Sequence, residues 1–321
     1  MNHPAQQATC LVTGAAGFIG SHLAEALVAR GHRVIGVDAF VDFSPRSMKE
    51  ANLRDLRQAP TFQCIEADLR TTDLGTLLTG IDYVFHLAAQ AGVRTSWGDG
   101  FTAYVEHNVL ATQRLLEAAQ QRGVRRVIYA SSSSVYGETP TLPAREDSPP
   151  LPISPYGVTK LAAEHLCRLY TIGHELPTIS LRYFTVYGPR QRPDMAFHKF
   201  IHALLRDEPL PVYGDGEQSR DFTYVGDIVA ATLAAMGHGV PGACYNLGGG
   251  VQVTVKEVLD LLEQLTGKRA RLHHHPRQRG MRRIRLPTRQ QPAWTSALRP
   301  HGHSRTDCTW RWSGCPSSSP S

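Results

Sequence analysis

The stretch that decides the fold, residues 9–20, reads Thr9-Cys10-Leu11-Val12-Thr13-Gly14-Ala15-Ala16-Gly17-Phe18-Ile19-Gly20. Its first five residues predict a buried strand, and the glycine-spaced remainder opens a helix that runs to about Arg30. Gly14 permits a tight turn, Gly17 lets the backbone approach a pyrophosphate, and Gly20 lets helix and strand pack closely. The free N–H groups at the helix N-terminus favour an anion. The glycine spacing alone is also compatible with a purely structural turn.

A second predicted strand, Arg33–Val37, ends in Asp38, eighteen residues after Gly20. A carboxylate at that place can accept hydrogen bonds from both hydroxyls of an adenosine ribose. It would repel a 2′-phosphate, and no Arg follows before Arg46. The pattern therefore favours NAD over NADP. It predicts a Rossmann-type, doubly wound parallel α/β sheet with a smaller C-terminal substrate-binding lobe.

Four consecutive serines, residues 131–134, follow another predicted strand, and Tyr156 lies 24 residues after Ser132. Ser154 can cap a helix, and the proline after it suits the first helical position. Tyr156 and Lys160 then lie one turn apart on one face. A neighbouring ammonium favours the phenolate, so this Tyr can serve as a base near neutral pH. A Tyr-x-x-x-Lys spacing is common by chance, but this context favours catalysis by Ser132, Tyr156 and Lys160.

The Gly-x-x-Gly-x-x-Gly and Tyr-x-x-x-Lys spacings resemble the extended short-chain dehydrogenase/reductase family over about residues 8–280. Within it, residues 90–94 (Gln-Ala-Gly-Val-Arg) and 181–195 (Leu-Arg-Tyr-Phe-Thr-Val-Tyr-Gly-Pro-Arg-Gln-Arg-Pro-Asp-Met) are similar to NAD-dependent UDP-glucuronate 4-epimerases. The resemblance implies conversion of UDP-glucuronate to UDP-galacturonate through a 4-keto sugar. Hydride moves from sugar C4 to NAD and returns to the other face.

The resemblance also implies the residues that perform each step. Ser132 hydrogen-bonds the reacting hydroxyl, Tyr156 removes its proton, and Lys160 holds the nicotinamide ribose. Asp68 and Leu69 resemble an adenine-contacting pair, and Asn108 resembles a helix-bending Asn, whereas His86 is expected to be a packed structural residue. The cofactor contacts expected in all are Gly14, Gly17, Phe18, Ile19, Gly20, Asp38, Asp68, Leu69, Leu87, Ala88, Ala89, Asn108, Ser131, Tyr156, Lys160 and Tyr183.

The type of reaction depends on the residues between Ser132 and Val135. Related dTDP-glucose 4,6-dehydratases carry an Asp-Glu pair there and UDP-xylose synthases a Glu, whereas this chain has Ser133 and Ser134. Without a carboxyl group, elimination lacks its general acid and base. Simple epimerisation needs neither, so the serines favour it. A 4,6-dehydratase and a UDP-glucose 4-epimerase stay open as alternatives.

The resemblance implies a set of substrate contacts, and hydroxyl and guanidinium chemistry supports several of them. Ser133, Ser134 and Thr185, where many sister enzymes have Asn, could bind a sugar carboxylate by hydroxyl donation. Arg220, in a segment that resembles the UDP-binding one, suits a diphosphate because its planar fork matches phosphate oxygens. A diphosphate or uridine contact is favoured for Arg192. The substrate contacts expected in all are Arg94, Ser133, Ser134, Thr185, Arg192, Tyr213 and Arg220.

The charge distribution argues against a nucleic-acid partner. Residues 281–321 hold seven Arg and one Asp, a net of +6, and the whole chain is also +6, so residues 1–280 are neutral overall. No stretch approaches the ~18 apolar residues of a membrane span, and the N-terminus lacks the pattern of a secretory signal. Six scattered cysteines without Cys-x-x-Cys predict reduced thiols in a cytoplasmic protein. Residues 273–275 (His-His-His) predict a strand of alternating faces, and no metal site is expected.

Three segments are expected along the chain. Residues 1–180 form an NAD-binding domain with the catalytic set, and residues 181–280 form a nucleotide-sugar-binding lobe that is interleaved with it. Residues 281–321 show no sustained period and predict a disordered basic tail. Our hypothesis is that a reading-frame shift just after Gly280 created this tail. An inactive NAD-binding protein damaged at its C-terminus is therefore a further alternative. Family members often dimerise through four helices, which here are residues 101–122 and 155–173.

Overall fold

The structure is a computed structural model, and it describes residues 7–138, 144–214, 216–217, 219–249 and 252–276. The tail at residues 281–321, and with it the hypothesis of a frame shift, lies outside the described residues.

Strands and helices alternate along the described chain. The strands are β1 Thr9–Thr13, β2 Arg33–Asp38, β3 Phe62–Glu66, β4 Tyr83–His86, β5 Arg126–Ser132, β6 Thr178–Tyr183, β7 Thr185–Tyr187, β8 Leu210–Tyr213, β9 Ser219–Tyr224, β10 Cys244–Leu247, β11 Gln252–Thr254 and β12 Leu272–His275. The helices are α1 Phe18–Ala29, α2 Arg46–Leu53, α3 Leu74–Leu77, α4 Phe101–Tyr104, α5 Ala111–Gln121, α6 Pro155–His174, α7 Ala196–Arg206, α8 Val225–Ala234 and α9 Val255–Thr266. A π-helical segment, Val105–Leu110, joins α4 to α5.

Seven strands form one parallel sheet in the order β10-β6-β5-β4-β1-β2-β3. The chain winds outward from β1 to β3 on one side and from β4 to β6 on the other. The strand order therefore reverses between β1 and β4, and ligands bind at the carboxyl ends of the strands at such a point. Thr13 pairs with both Val37 and His86, so these strands end level with one another. The predicted doubly wound fold is confirmed.

Both faces of this sheet are covered, which explains the nearly continuous apolar runs of its strands. In β1, Cys10 and Val12 pack on one side with residues of α1 and α8. Leu11 packs on the other side with residues of α3, α5 and α6. The carboxyl ends of the strands, where a ligand would bind, therefore lie at the edge of a core that is packed on both faces of the sheet.

A smaller set of elements follows the large sheet. Strands β11, β9 and β7 form one sheet, and β12 pairs with β8. Helices α7 and α9 pack on β8 through Phe200, Leu204, Leu210, Val258 and Leu262. Because β10 joins the large sheet and α8 packs on α1, the chain returns from these elements to the first layer. The division at residue 180 itself stays a prediction.

Candidate active site

The turn between β1 and α1 is shaped by glycines. Gly14 has φ +70°, and a Cβ there would lie 2.9 Å from the backbone nitrogen of Ala88. A Cβ on Gly20 would lie 2.1 Å from the carbonyl oxygen of Gly14. Only glycine allows both approaches, because a side chain at either position would clash with the backbone. The turn therefore packs closely against the loop after β4, and the N-terminus of α1 faces a cavity.

Asp38 ends β2 and lies at one end of this cavity, where it is buried. Its carboxylate accepts hydrogen bonds from the backbone nitrogens of Ala16 (3.1 Å) and Phe40 (2.9 Å). Lys49 of α2 donates to it from Nζ at 3.1 Å. The contact with Lys49 was not predicted from the sequence, because nothing in the sequence links Asp38 to a lysine eleven residues further on. Its ammonium offsets part of the Asp38 charge.

One elongated cavity of about 240 Å³ runs along the carboxyl ends of the strands. It extends from Asp38, past the glycine turn, to Tyr156 and Lys160. Most of the predicted cofactor contacts line it, namely Gly14, Gly17, Phe18, Ile19, Gly20, Asp38, Leu87, Ala88, Ala89, Ser131, Tyr156, Lys160 and Tyr183. Residues as far apart in the sequence as Gly14 and Tyr183, which are 169 positions apart, therefore line the same cavity.

Three predicted cofactor contacts do not line this cavity: Asp68, Leu69 and Asn108. Arg70 binds the Asp68 carboxylate through Nη2 at 2.7 Å, and this hydrogen bond lowers the pKa of Asp68 below its usual value. Leu69 is buried in the core on the α5 side of the sheet. Their contact with an adenine stays a prediction.

Asn108 acts on the cavity through a neighbouring loop. It lies in the π-helical segment, the kind of local distortion expected of a helix-bending residue. Its Oδ1 accepts from the backbone nitrogen of Gln90 at 2.8 Å, and its Nδ2 donates to the carbonyl of Gln90 and to Thr159 at 3.0 Å. Asn108 therefore fixes Gln90, which lines the cavity, against α6.

Helix α6 begins as its sequence predicts. Ser154 accepts a hydrogen bond from the backbone nitrogen of Gly157 at 3.1 Å, and proline takes the first position. Tyr156 and Lys160, one turn apart, both line the cavity. The ammonium of Lys160 donates to the carbonyl of Ala130 at 2.8 Å and lies 4.8 Å from the ring centre of Tyr129. Burial lowers the pKa of Lys160 to about 7.

The serines lie at the end of β5, beside α6. Ser132 is the last residue of the strand, and its Oγ accepts from the backbone nitrogen of Ser134 at 3.1 Å. Ser133 and Ser134 follow in a short 3₁₀ turn and are buried. Ser132 pairs with Tyr183 in the sheet, so Thr185, two residues further on, begins β7 at the same edge. Ser131 and Tyr183 line the cavity, whereas Ser132, Ser133, Ser134 and Thr185 do not.

A buried ion pair joins α6 to β6, and it was not predicted from the sequence. Glu164 of α6 accepts from Arg182 of β6 twice, at 2.9 and 2.8 Å, and from Ser131 Oγ at 2.5 Å. Arg182 also donates to the hydroxyl of Tyr136 at 2.7 Å. Burial lowers the pKa of Arg182, but the hydrogen bonds and charge of Glu164 outweigh it and raise that pKa above its usual value. Glu164 lies among other polar and charged residues of the helix sequence, so no local signal marked this pair.

His86 is the packed side chain that the sequence analysis expects. It is fully buried between Thr13 Oγ1 at 2.8 Å and Thr112 Oγ1 at 2.9 Å. Thr13 in turn accepts from the backbone nitrogens of Leu87 and Ala88, both at 3.1 Å. Burial lowers the pKa of His86 to about 3, so this ring is neutral and holds the loop that lines the cavity.

The predicted substrate contacts are spread more widely. Arg192 lines the cavity, donates from Nε to Asp194 at 2.9 Å and lies 5.2 Å from the Phe43 ring centre. Arg94 is exposed in the loop after β4 and does not line the cavity. The side chains of Tyr213 and Arg220 lie outside the described part of the structure.

Three further features concern only the residues that the structure describes. No helix there combines the length and hydropathy needed to cross a membrane. The four cysteines of that part, Cys10, Cys64, Cys167 and Cys244, are free thiols. The three histidines 273–275 form β12, the strand predicted for them.

Comparisons with known proteins agree with this geometry. The sequence model of the family described as "NAD dependent epimerase/dehydratase family" matches residues 10–248. The chain is 49% identical over 265 residues to a Bacillus subtilis (strain 168) protein named "Uncharacterized UDP-glucose epimerase YtcB", covering 82% of this chain and 84% of that protein. It is 39% identical over 272 residues to a UDP-glucuronate 4-epimerase of Thermodesulfobacterium geofontis (strain OPF15), covering 81% of each.

A solved structure is similar at the level of the fold. UDP-glucuronic acid 4-epimerase from Bacillus cereus, in complex with UDP-glucuronic acid and NAD, has a TM-score of 0.85 and 46% identity. The similarity covers 87% of this chain and 90% of that one. The chain therefore belongs to the NAD dependent epimerase/dehydratase family, and the predicted family membership is confirmed.

Proposed function

We propose that this member of the NAD dependent epimerase/dehydratase family is an NAD-dependent UDP-sugar 4-epimerase that interconverts UDP-glucuronate and UDP-galacturonate. One observation carries the proposal: a single cavity connects Asp38 and the glycine turn to the Tyr156–Lys160 pair. The relatives named as UDP-glucuronate 4-epimerases support the substrate.

The cavity has the form that NAD requires. Gly14 and Gly20 clear the space in front of α1, where backbone N–H groups can bind a pyrophosphate. Asp38, held by two backbone nitrogens, presents its carboxylate where an adenosine ribose would lie. Lys160 and Tyr183 line the opposite end, where the nicotinamide would lie. When bound there, NAD supplies reversible hydride transfer with C4 of the sugar.

The chain's own residues then move the proton and position the sugar. Tyr156 removes the proton of the C4 hydroxyl, and Ser132 hydrogen-bonds that hydroxyl from the end of β5. Lys160, fixed on the carbonyl of Ala130, stabilises the phenolate through its positive charge. Because Lys160 has a pKa near 7, its charge responds to small changes in its surroundings. After the sugar has turned over, the same Tyr156 returns the proton.

The serines after Ser132 support epimerisation over its sister reactions. Ser133 and Ser134 occupy the turn where a dehydratase or decarboxylase would carry an acid. Their hydroxyls, with that of Thr185, can donate to a sugar carboxylate. Arg192 is assigned to the diphosphate or uridine, and Arg94, Tyr213 and Arg220 complete the proposed substrate contacts. Epimerisation of UDP-glucose is the second candidate, which the name of the Bacillus subtilis relative favours.

We also propose that the protein is a cytoplasmic homodimer. Exposed apolar side chains, Phe101 and Val105 on one helix and Val158, Leu169 and Ile172 on α6, lie on the helices expected to pair. The helices of two copies would bury these side chains together. The free thiols support a reducing compartment.

Product analysis tests the function. The purified protein is incubated with UDP-glucuronate and, separately, with UDP-glucose, and the products are separated by chromatography. Conversion of the uronate to UDP-galacturonate supports the proposal, and conversion of UDP-glucose alone overturns the substrate. Bound NAD without any turnover would favour the alternative of an inactive NAD-binding protein. A Thr185→Val variant that loses uronate turnover but keeps NAD would support the proposed carboxylate contact.

A further inference from the structure

Residues 188–195, named the strap here, cross from β7 to α7 along one side of the cavity. Three of them, Arg190, Arg192 and Pro193, line it. The same cavity is lined by Gly17 and Phe18 of the glycine turn and by residues of the loop after β2. A ligand in this cavity is therefore bordered both by the strap and by the N-terminus of α1.

The strap is fastened to the helix that it faces. Arg190 donates from Nη2 to Glu25 Oε1 at 2.6 Å and from Nη1 to Ser21 Oγ at 3.2 Å. The ring nitrogen Nε2 of His22 lies 3.1 Å from the carbonyl oxygen of Pro189. These three partners are all residues of α1, the helix whose N-terminus lines the cavity.

The strap also has a fixed base and a strained centre. Gly188 has φ +143°, and a Cβ there would lie 2.7 Å from Val225 Cγ1. Gln191 is buried, donates to the carbonyl of Val186 at 3.0 Å and accepts from the backbone nitrogen of His198 at 3.1 Å. Arg190 itself has φ +64°, a conformation that costs energy in a residue with a side chain. Its contacts with α1 offset that cost.

We propose that the strap retains NAD in its cavity and that the Arg190–Glu25 ion pair is its latch. The inference rests on the proposed function, because an epimerase that returns the same hydride needs a cofactor that stays bound. Glu25 does not line the cavity. Its effect on the cofactor would therefore be transmitted through the strap, by Arg190 and by His22, which lies 3.8 Å from Glu25 and contacts Pro189. This makes Glu25 a positioning residue.

The rate at which NAD leaves the protein tests the latch without any sugar. Three variants, Arg190→Met, Glu25→Ala and the control Arg125→Met, are loaded with labelled NAD and chased with an excess of unlabelled NAD. Arg125 pairs with Asp82 at 3.1 Å, ahead of the amino end of β4 and away from the cavity. Because the Arg190–Glu25 pair is partly exposed, we expect NAD release to be about fivefold faster from Glu25→Ala and about tenfold faster from Arg190→Met. NAD release from the control should stay within about twofold of wild type, since neither Arg125 nor Asp82 lines the cavity.

Release from both latch variants at the wild-type rate overturns the proposal. Faster release from Arg190→Met alone also overturns it, because Arg190 would then hold the cofactor directly. The exchanged pair, Arg190→Glu with Glu25→Arg, should restore slow release if the ion pair is the latch. Thermal unfolding of each variant checks that the fold is kept. If the wild-type protein retains NAD but turns over no sugar, the proposed function is wrong and the proposal of the latch is unaffected. If it binds no NAD, both are wrong.

Discussion

Replacing Arg182 with Met should destabilise the protein by about 3–5 kcal/mol, because it leaves the Glu164 carboxylate buried without its cation. Only 6% of the Arg182 side chain and 3% of the Glu164 side chain are exposed, so water cannot take over the lost contacts. The variant loses both hydrogen bonds to Glu164 and the one to Tyr136. Tyr136 keeps its hydrogen bond to Asn246 at 2.7 Å. The unpaired carboxylate therefore dominates the loss.

The double variant Glu164→Leu/Arg182→Met separates the cost of breaking the pair from the worth of the pair itself. An apolar replacement of similar volume removes both buried charges, which is often neutral in energy. The remaining cost is the hydroxyl of Ser131, which loses its acceptor and is worth about 1–3 kcal/mol. We therefore expect the double variant to be more stable than Arg182→Met by about 2 kcal/mol.

Urea unfolding followed by circular dichroism measures these differences from the midpoints and slopes. For a protein of this size, a loss of about 4 kcal/mol also lowers Tm by roughly 6–7 °C. A single variant within about 1 kcal/mol of wild type would refute the argument that the pair is desolvated. So would a double variant less stable than Arg182→Met.

Three further predictions concern the site itself. Gly20→Ala should weaken NAD binding at least tenfold in a titration with NAD, since its Cβ would lie 2.1 Å from the carbonyl oxygen of Gly14. The control Gly173→Ala should leave binding unchanged, since a Cβ there would meet nothing within 4 Å. Tyr156→Phe should lower turnover by about 10²–10⁴-fold and keep NAD binding, and an active variant would exclude Tyr156 as the base. Burial lowers the pKa of His86 from its usual 6.5 to about 3, so the unfolded chain takes up this proton before the folded protein does as pH falls below 6.5. The free energy of unfolding should therefore drop by about 2 kcal/mol between pH 7 and pH 5. His86→Gln should remove most of that drop in urea titrations at the two pH values, and an unchanged slope would contradict the assignment.

The sequence predicted those parts of the molecule in which local pattern and chemistry coincide. The glycine turn, Asp38 at the end of β2 and the capped start of α6 each depend on residues close together in the chain, so their spacing was informative. The parallel sheet then brought Asp38 and Lys160 to the same edge, as the strand order of a doubly wound fold requires.

Contacts between distant segments were not predictable in this way. Lys49 on Asp38, Arg182 on Glu164 and Arg190 on Glu25 are all ion pairs whose partners meet only after the chain has folded. A single charged residue in a sequence is most often solvated, so no local signal separates these from surface charges. Asp68 pairs with its close neighbour Arg70 in the structure, and its contact with an adenine stays a prediction.

In the proposed reaction, the protein inverts C4 of UDP-glucuronate by removing hydride from that carbon and returning it to the opposite face. The most direct test pairs two incubations, one of UDP-glucuronate that carries deuterium at C4 in H₂O and one of unlabelled UDP-glucuronate in D₂O, each followed by mass spectrometry and NMR of the nucleotide sugars. The first should give UDP-galacturonate that keeps the deuterium at C4, and the second should give UDP-galacturonate that takes up none from the solvent. Loss of the C4 label, or a product that has gained solvent deuterium after losing water or carbon dioxide, would contradict it.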